Sequence, residues 1–305
     1  MKKLLIAAAL IASACTQENN QNTTTATTTT ATPPAQTTSS APAQATEITG
    51  VLTPESVLYD ADQDVYFISN INGDPLAKDG NGFIAKVHPD TLQMERFVGT
   101  GLDAPKGLTI VGDELWVADI NDVKKFDRKT GAAKGKVTIP GSTFLNDLAS
   151  DGKSGYVSDS GMKSGANGSF EGTGTDAVWQ ITGTTAKKIA SGKDLNRPNG
   201  VEVVDGKIWV VTFASNELYQ LDNGKKTNVS KLPKGSLDGL VHLADGTFLV
   251  SSWESNSVFR GPAAGPWNEV ITNVKSPADI GYDTKRKRVL VPHFMENKVT
   301  LHPLQ

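Results

Sequence analysis

Six times between residues 54 and 292 one line of sequence returns: a short polar start, an apolar stretch, a Gly/Asp turn, and an aromatic or aliphatic strand that ends on a small residue. It reads Pro54-Glu55-Ser56-Val57-Leu58-Tyr59 followed by Val65-Tyr66-Phe67-Ile68-Ser69, and Pro105-Lys106-Gly107-Leu108 followed by Leu115-Trp116-Val117-Ala118-Asp119. Later copies begin at Asn146-Asp147-Leu148, Asn199-Gly200-Val201, Asp238-Gly239-Leu240 and Asp279-Ile280-Gly281. Taking residues 55, 106, 146, 199, 238 and 279 as anchors, the spacings are 51, 40, 53, 39 and 41. Most copies continue into a third strand, such as 83–87 or 177–181, and usually a fourth, such as 94–98. Four short antiparallel strands at this period make one propeller blade, and six copies close a ring. The sixth copy reaches Gln305 before its fourth strand, so the apolar stretch 48–52 is expected to fill that place, pairing both chain ends and leaving no open edge. The expected fold is all-β, a six-bladed β-propeller with an N-terminal strand closing the last blade. The 29 Gly and only 4 Met agree with many short strands and turns. Trp116, Trp179, Trp209, Tyr66 and Tyr156 are expected at equivalent strand positions, packed between blades.

The start of the chain is different in kind. Residues 1–14 carry Lys2-Lys3, an apolar run over 4–12 and the small pair Ser13-Ala14, the layout of a secretory signal too short for a permanent membrane helix. Cys15, the single cysteine, follows those small residues and resembles the lipidated cysteine of bacterial lipoproteins, with Ala12 where such signals prefer Leu. Thr16 in place of Asp points to the outer membrane as the destination. Residues 16–46 hold twelve Thr and no Val, Leu, Ile, Phe, Tyr or Trp, too little apolar surface to offset ordering entropy. The expected organisation is a signal over 1–14, a lipidated cysteine and flexible tether over 15–46, and the propeller over 47–305.

The 30 Lys+Arg balance 33 Asp+Glu with no basic run, which excludes nucleic acid or an anionic membrane surface as a charge-driven partner. Membrane contact is expected only through the lipid, and the propeller is expected to be a monomer that meets a small-molecule substrate. One cysteine excludes a disulfide framework and a Cys/His zinc site.

In a propeller the starts of the inner strands converge on a central channel, so the anchors Glu55, Lys106, Asn146, Asn199, Asp238 and Asp279 form a candidate ring. Two carboxamides and three carboxylates there suit calcium or another oxygen-preferring divalent ion, and without a cation the carboxylates would repel and partly protonate. Other signals fall away. Asp60-x-Asp62-x-Asp64 imitates a calcium loop but has Val65 where Gly is needed and Ile71 where Glu is needed, so it reads as a turn. Gly152-Lys153-Ser154 lacks the earlier Gly of a phosphate loop, and no Gly-x-Ser-x-Gly elbow is present. His88 and His302 each precede Pro and read as exposed turn residues, whereas His293 is placed to enter the channel. The insertion 161–175 reads either as a lid over the channel or as a disordered excursion.

The ordered motifs Pro54-Glu55-Ser56-Val57 with Tyr66-Phe67, Leu145-Asn146-Asp147, Arg197-Pro198-Asn199-Gly200 and Leu237-Asp238-Gly239 resemble those of the senescence marker protein (regucalcin), gluconolactonase and diisopropylfluorophosphatase family of six-bladed propellers, across 47–305. The resemblance implies that Glu55, Asn146, Asn199 and Asp238 bind a catalytic divalent ion, Ca²⁺ or a substitute such as Zn²⁺, Mn²⁺ or Mg²⁺. It also implies hydrolysis of lactones, in some members of organophosphates, with Asp238 as base or nucleophile. Lys106 matches no substrate residue of the family, and reads either as a contact for an anionic substrate or as an offset to the carboxylates. Arg197, Asp279 and His293 complete the candidate substrate contacts. The expected function is a metal-dependent hydrolase of lactone-like esters tethered at the cell envelope. A ligand- or protein-binding propeller with a structural ion is the other reading, and a strictosidine-synthase-like propeller fits the ring less well.

Overall fold

A computed structural model describes residues 46–304, apart from 167 and 168. The signal at 1–14, Cys15 and the Thr-rich segment up to residue 45 lie outside the described residues.

Among the described residues, six four-stranded antiparallel sheets follow one another. Their innermost strands are Pro54–Asp60, Pro105–Val111, Leu145–Ser150, Pro198–Val204, Leu237–His242 and Gly281–Asp283, which define blades 1 to 6. Second strands are buried on both faces, as in Val65–Asn70, where every residue is buried. Fourth strands face solvent, as in Ala133–Thr138, where only Val137 is buried. The cause is stacking: a middle strand is covered by blades on either side, so it needs a nearly continuous apolar run.

Each gap between neighbouring blades holds its own apolar cluster. Phe67, Leu108 and Leu115 fill the gap between blades 1 and 2, and Trp116, Leu148 and Trp179 the next. Val201 and Tyr219 lie between blades 3 and 4 with Tyr156 against them, while Leu240 and Phe248 lie between 4 and 5 with Trp209 against them. Leu249, Ile280 and Val289 join 5 to 6, and Tyr66, Leu290 and Val299 join 6 to 1. The five aromatics do pack between blades, but they are not all equivalent. Counted back from the bulge-facing ends of the second strands at Asn70, Asp119, Asp159 and Thr212, Trp116, Tyr156 and Trp209 share one position with Phe67. Tyr66 sits one residue off, on the opposite face of its strand, so it packs toward blade 6 while Phe67 packs toward blade 2, and Trp179 lies on a third strand.

Thr46–Thr49 pairs antiparallel with Lys298–Pro303 as the outermost strand of blade 6, with Ile48 opposite Val299. Both ends of the described segment therefore meet in one sheet, as the repeat count demands, although the closing strand starts at Thr46 and leaves Leu52 outside it, 40% exposed. The Asp60–Asp64 segment is a turn whose acids are held by protein: Asp62 pairs with Arg128 and Asp64 with Arg286. His88 is exposed, but His302 is half-buried within the strand Lys298–Pro303, which is paired on both sides. Among the described residues no helix is long and apolar enough to cross a membrane.

Candidate functional site: the mouth of the channel

Every blade enters the channel through the same irregularity. In blade 1 the pairing shifts by one residue between Pro54, opposite Asn70, and Val57, opposite Ile68. The shift recurs between Pro105 and Leu108, Leu145 and Leu148, Pro198 and Val201, and Leu237 and Leu240. Blade 6 repeats it between a bridge from Pro277 to His293 and the pair Gly281–Leu290. A bulge breaks the ladder and re-aims the side chains it carries. The residues within it are Glu55-Ser56, Lys106-Gly107, Asn146-Asp147, Asn199-Gly200, Asp238-Gly239 and, in blade 6, Ala278-Asp279.

These pairs build two tiers. Glu55, Lys106, Asn146, Asn199 and Asp238 line one mouth of the channel, at a cavity of about 300 Å³. Ser56, Asp147 and Asp279 line the other end, together with Glu202 and His242. Asp279 is therefore corrected from the first ring to the second tier: counted from Pro277, the ring position of blade 6 is Ala278, and Asp279 accepts a hydrogen bond from Ser56 Oγ. Glycine recurs in the second tier because inner strands nearly touch there; a Cβ on Gly107 would lie 2.5 Å from Asp147 Cα. His293 also falls outside the mouth. It ends the second strand of blade 6, buried, with Nδ1 bonded to Glu296 at 3.1 Å and Nε2 to Thr300 at 2.8 Å.

Within the first tier, Glu55 Oε2, Asn199 Oδ1 and Asp238 Oδ1 are buried acceptor atoms with no hydrogen-bond partner. Orphaned buried oxygens are costly and rare. Neighbouring groups hold two other atoms of the set: Trp253 Nε1 donates to Asp238 Oδ2 at 2.8 Å, and Asn146 Nδ2 donates to Ser160 Oγ at 3.0 Å. Burial first, and then the charges of Asp238 and Asp279, raise Glu55 well above the usual carboxylate range. Burial and Asp279 push Asp238 up to about 8. Lys106 Nζ donates to the carbonyls of Pro75 and Ala104 at 2.9 and 3.1 Å and lies 4.5 Å from the centre of the Phe144 ring. Burial pulls Lys106 down to about 8 against the opposing charge of Glu55. Among the described residues no three His, Cys, Asp or Glu side chains gather as metal ligands. The set here is two carboxylates and two carboxamides, and its unmatched oxygens fit a hard divalent cation.

No family model matches the chain, and none of the curated proteins does. Solved structures do. A gluconolactonase from Xanthomonas campestris, XC5397, superposes with a TM-score of 0.67 at 14% identity, over 86% of this chain and 91% of its own. A luciferin-regenerating enzyme gives 0.64 at 11% identity over 85% and 96%. Virginiamycin B lyase from Staphylococcus aureus gives 0.60 at 15% identity over 86% and 99%. In fold, the chain is a gluconolactonase-like six-bladed propeller.

Part of the wall of this mouth comes from a position that the repeat pattern does not single out: the first residue after each second strand. Around the ring it is Ile71, Ile120, Ser160, Phe213, Trp253 and Phe294. Four of these, Ile71, Phe213, Trp253 and Phe294, line the cavity. Phe213 meets Trp253 edge-on at 5.7 Å between ring centres, and Trp253 meets Phe294 at 5.3 Å. Ser160 supports Asn146 instead, and its Oγ donates to Pro198 O at 2.8 Å. Within the insertion, Met162–Ser164 pairs antiparallel with Phe170–Gly172 as a hairpin, and both Met162 and Phe170 line the cavity. Arg197 lines it too, its backbone N–H bonded to Asp176 and its guanidinium beside Gly172 of the hairpin.

Proposed function

We propose that the protein is a divalent-metal-dependent hydrolase of lactone-like esters. The supporting observation is the trio of buried oxygens on Glu55, Asn199 and Asp238 that lack hydrogen-bond partners at the floor of a cavity walled by aromatic and methionine side chains. Glu55, Asn146, Asn199 and Asp238 would hold the ion, Ca²⁺ or another oxygen-preferring divalent cation. When bound, the ion supplies polarisation of a carbonyl and stabilisation of the oxyanion that develops on it. The chain's own residues do the rest. Asp238, fixed through one oxygen by Trp253, would take a proton from the water whose oxygen adds to the carbonyl carbon, the acyl C–O bond then breaking and the leaving oxygen taking up a proton; or Asp238 would itself add there with loss of the same alkoxide, leaving an anhydride that water opens. Asn146 is held by Ser160, so its amide keeps one orientation toward the set. Lys106 sets a positive charge beside Glu55 and limits the repulsion between the carboxylates. The aromatic walls exclude water and so strengthen every charge interaction at the floor. Lys2-Lys3, the apolar run after them and Cys15 support export and lipid anchoring at the cell envelope, where such a hydrolase would meet small-molecule substrates from outside the cytoplasm.

The test uses the full chain purified without added metal. Elemental analysis is expected to find about one divalent ion per chain, and a lactone panel is expected to show turnover that chelator abolishes. Asp238→Asn is expected to lower kcat by about 10² or more while the thermal transition stays cooperative. Absence of both bound metal and chelator-sensitive turnover would overturn the reading.

A further inference from the structure

We infer that the substrate of this site carries an apolar body, a medium-length alkyl tail on the lactone or ester, and not the polyhydroxylated ring of a sugar lactone. This rests on the hydrolase reading above and adds the substrate class to it. The polar groups of the cavity are confined to its floor, with Arg197 beside the hairpin. The walls are Phe144, Phe170, Phe213, Phe294, Met162 and Met295, with Ile71 and Trp253 between them. The single N–H on those walls, Trp253 Nε1, is engaged by Asp238; at the floor, Asn146 Nδ2 bonds Ser160, Lys106 Nζ bonds two backbone carbonyls and Asn199 bonds Asp238, which leaves Arg197, beside the hairpin, as the one cationic donor that a polar substituent could reach. A sugar lactone would bring a hydroxyl on nearly every carbon into a place where the walls return no hydrogen bond, and each such group loses its water without replacement. An alkyl tail meets no such cost, and gains dispersion contact with aromatic faces and with methionines that adapt to its shape.

The rim extends the argument. Met295 is 71% exposed and Phe170 is 43% exposed, large apolar side chains left in solvent at the entrance. They stand on different blades, Met295 beyond the second strand of blade 6 and Phe170 on the hairpin of blade 3, so an occupant rising from the floor passes between them. At the ~30 Å³ that a water takes in the liquid, a cavity of about 300 Å³ accepts on the order of ten non-hydrogen atoms. That is a lactone ring and a short tail, with any further methylenes reaching the rim.

The experiment measures kcat/KM of the metal-loaded full chain on δ-lactones with tails from none to eight carbons, on 4-nitrophenyl esters of matching lengths, and on δ-gluconolactone. At ~0.8 kcal/mol per buried methylene, kcat/KM should rise roughly fourfold per carbon until the cavity is full, with δ-gluconolactone below the unsubstituted lactone. Met295→Gln and Phe170→Gln, at exposed positions that tolerate polar groups, should flatten the last steps of that rise by threefold or more. A flat series, or a preference for δ-gluconolactone, overturns the substrate class while chelator-sensitive turnover leaves the hydrolase reading standing. The separate arm is calorimetric binding of alkyl δ-lactams, which resist hydrolysis. Affinity that grows with tail length upholds the apolar class even if every ester is left intact, and affinity that does not grow overturns it.

Discussion

Trp253 joins the two halves of the site. Its ring forms part of the apolar wall against Phe213 and Phe294, and its one N–H fixes Asp238 Oδ2 while leaving Oδ1 without a partner. That hydrogen bond stabilises the carboxylate form, so it works against the burial that pushes Asp238 up to about 8. Trp253→Phe keeps the wall and removes only the donor. Metal affinity or kcat is expected to fall by about 10- to 100-fold, the range seen when an outer partner of a ligand is lost. The acid limb of the pH–rate profile should move to higher pH, because Asp238 then holds its proton more tightly. Metal titration and a pH–rate series on the variant check both, and a profile superimposable on the parent would show that the bond has no part in positioning Asp238.

At the scale of the element, the repeating unit is the bulged inner strand followed by a second strand, and in blades 1 to 3 the last side chain of that second strand caps the loop before the inner strand. Asp119 accepts the N–H groups of Asp103 and Ala104 at 2.9 and 2.8 Å, Asp159 accepts that of Phe144 at 3.0 Å, and Asn70 accepts that of Leu52 at 2.8 Å. The anchors Glu55, Lys106, Asn146, Asn199 and Asp238 were legible because each follows a fixed start and precedes an apolar run. Blade 6 broke the pattern: its inner strand begins only at Gly281, and Asp279 offered an acid one place beyond the true ring position, Ala278. The wall residues were not legible, since the position that carries Phe213 and Phe294 in blades 4 and 6 carries Ile120 and Ser160 in blades 2 and 3, both buried and outside the cavity lining. Periodicity shows that such residues are covered, not whether a blade or a ligand covers them. Closure was legible as a missing fourth strand, and it has an energetic consequence. Ile48 is 1% exposed in the closing strand and packs with Val299 and Leu301. Ile48→Ala is expected to cost about 3 kcal/mol and to lower Tm by roughly 5–10 °C for a domain of this size, read by a thermal melt. An unchanged Tm would mean that the ring holds without its clasp.

The whole ring concentrates acids along one axis. Glu55 and Asp238 stand at one mouth, with Asp147, Asp279 and Glu202 toward the other, and burial is the first cause of every upward shift among them. Asp279 rises to about 7, Glu202, half-buried at the channel's other end, to about 8, and Asp147 well above its usual range. A carboxyl whose folded pKa exceeds its unfolded value keeps a proton that the unfolded chain has released. Its stabilising effect is full below pH ~4 and is lost as pH climbs through the folded pKa. Groups with the opposite slope act elsewhere on the scale. Asp245, held down to about 2 by Thr247 and Arg260, has contributed fully by pH ~5. His302, lowered to about 4 by burial, gains stability only up to its unfolded value near 6.5. Lys106, lowered to about 8, adds stability only above that. The interval from pH ~6.5 to ~8 is therefore governed by the channel acids. In chelator, Tm is expected to fall across that interval, and Asp279→Asn should flatten the fall. Calcium should raise Tm more at pH ~8 than at pH ~6.5, because binding at Glu55 and Asp238 requires their ionised forms. Scanning calorimetry at the two pH values, with chelator and with calcium, checks the sign. A Tm in chelator that rises with pH would mean that the channel acids are already ionised in the metal-free ring.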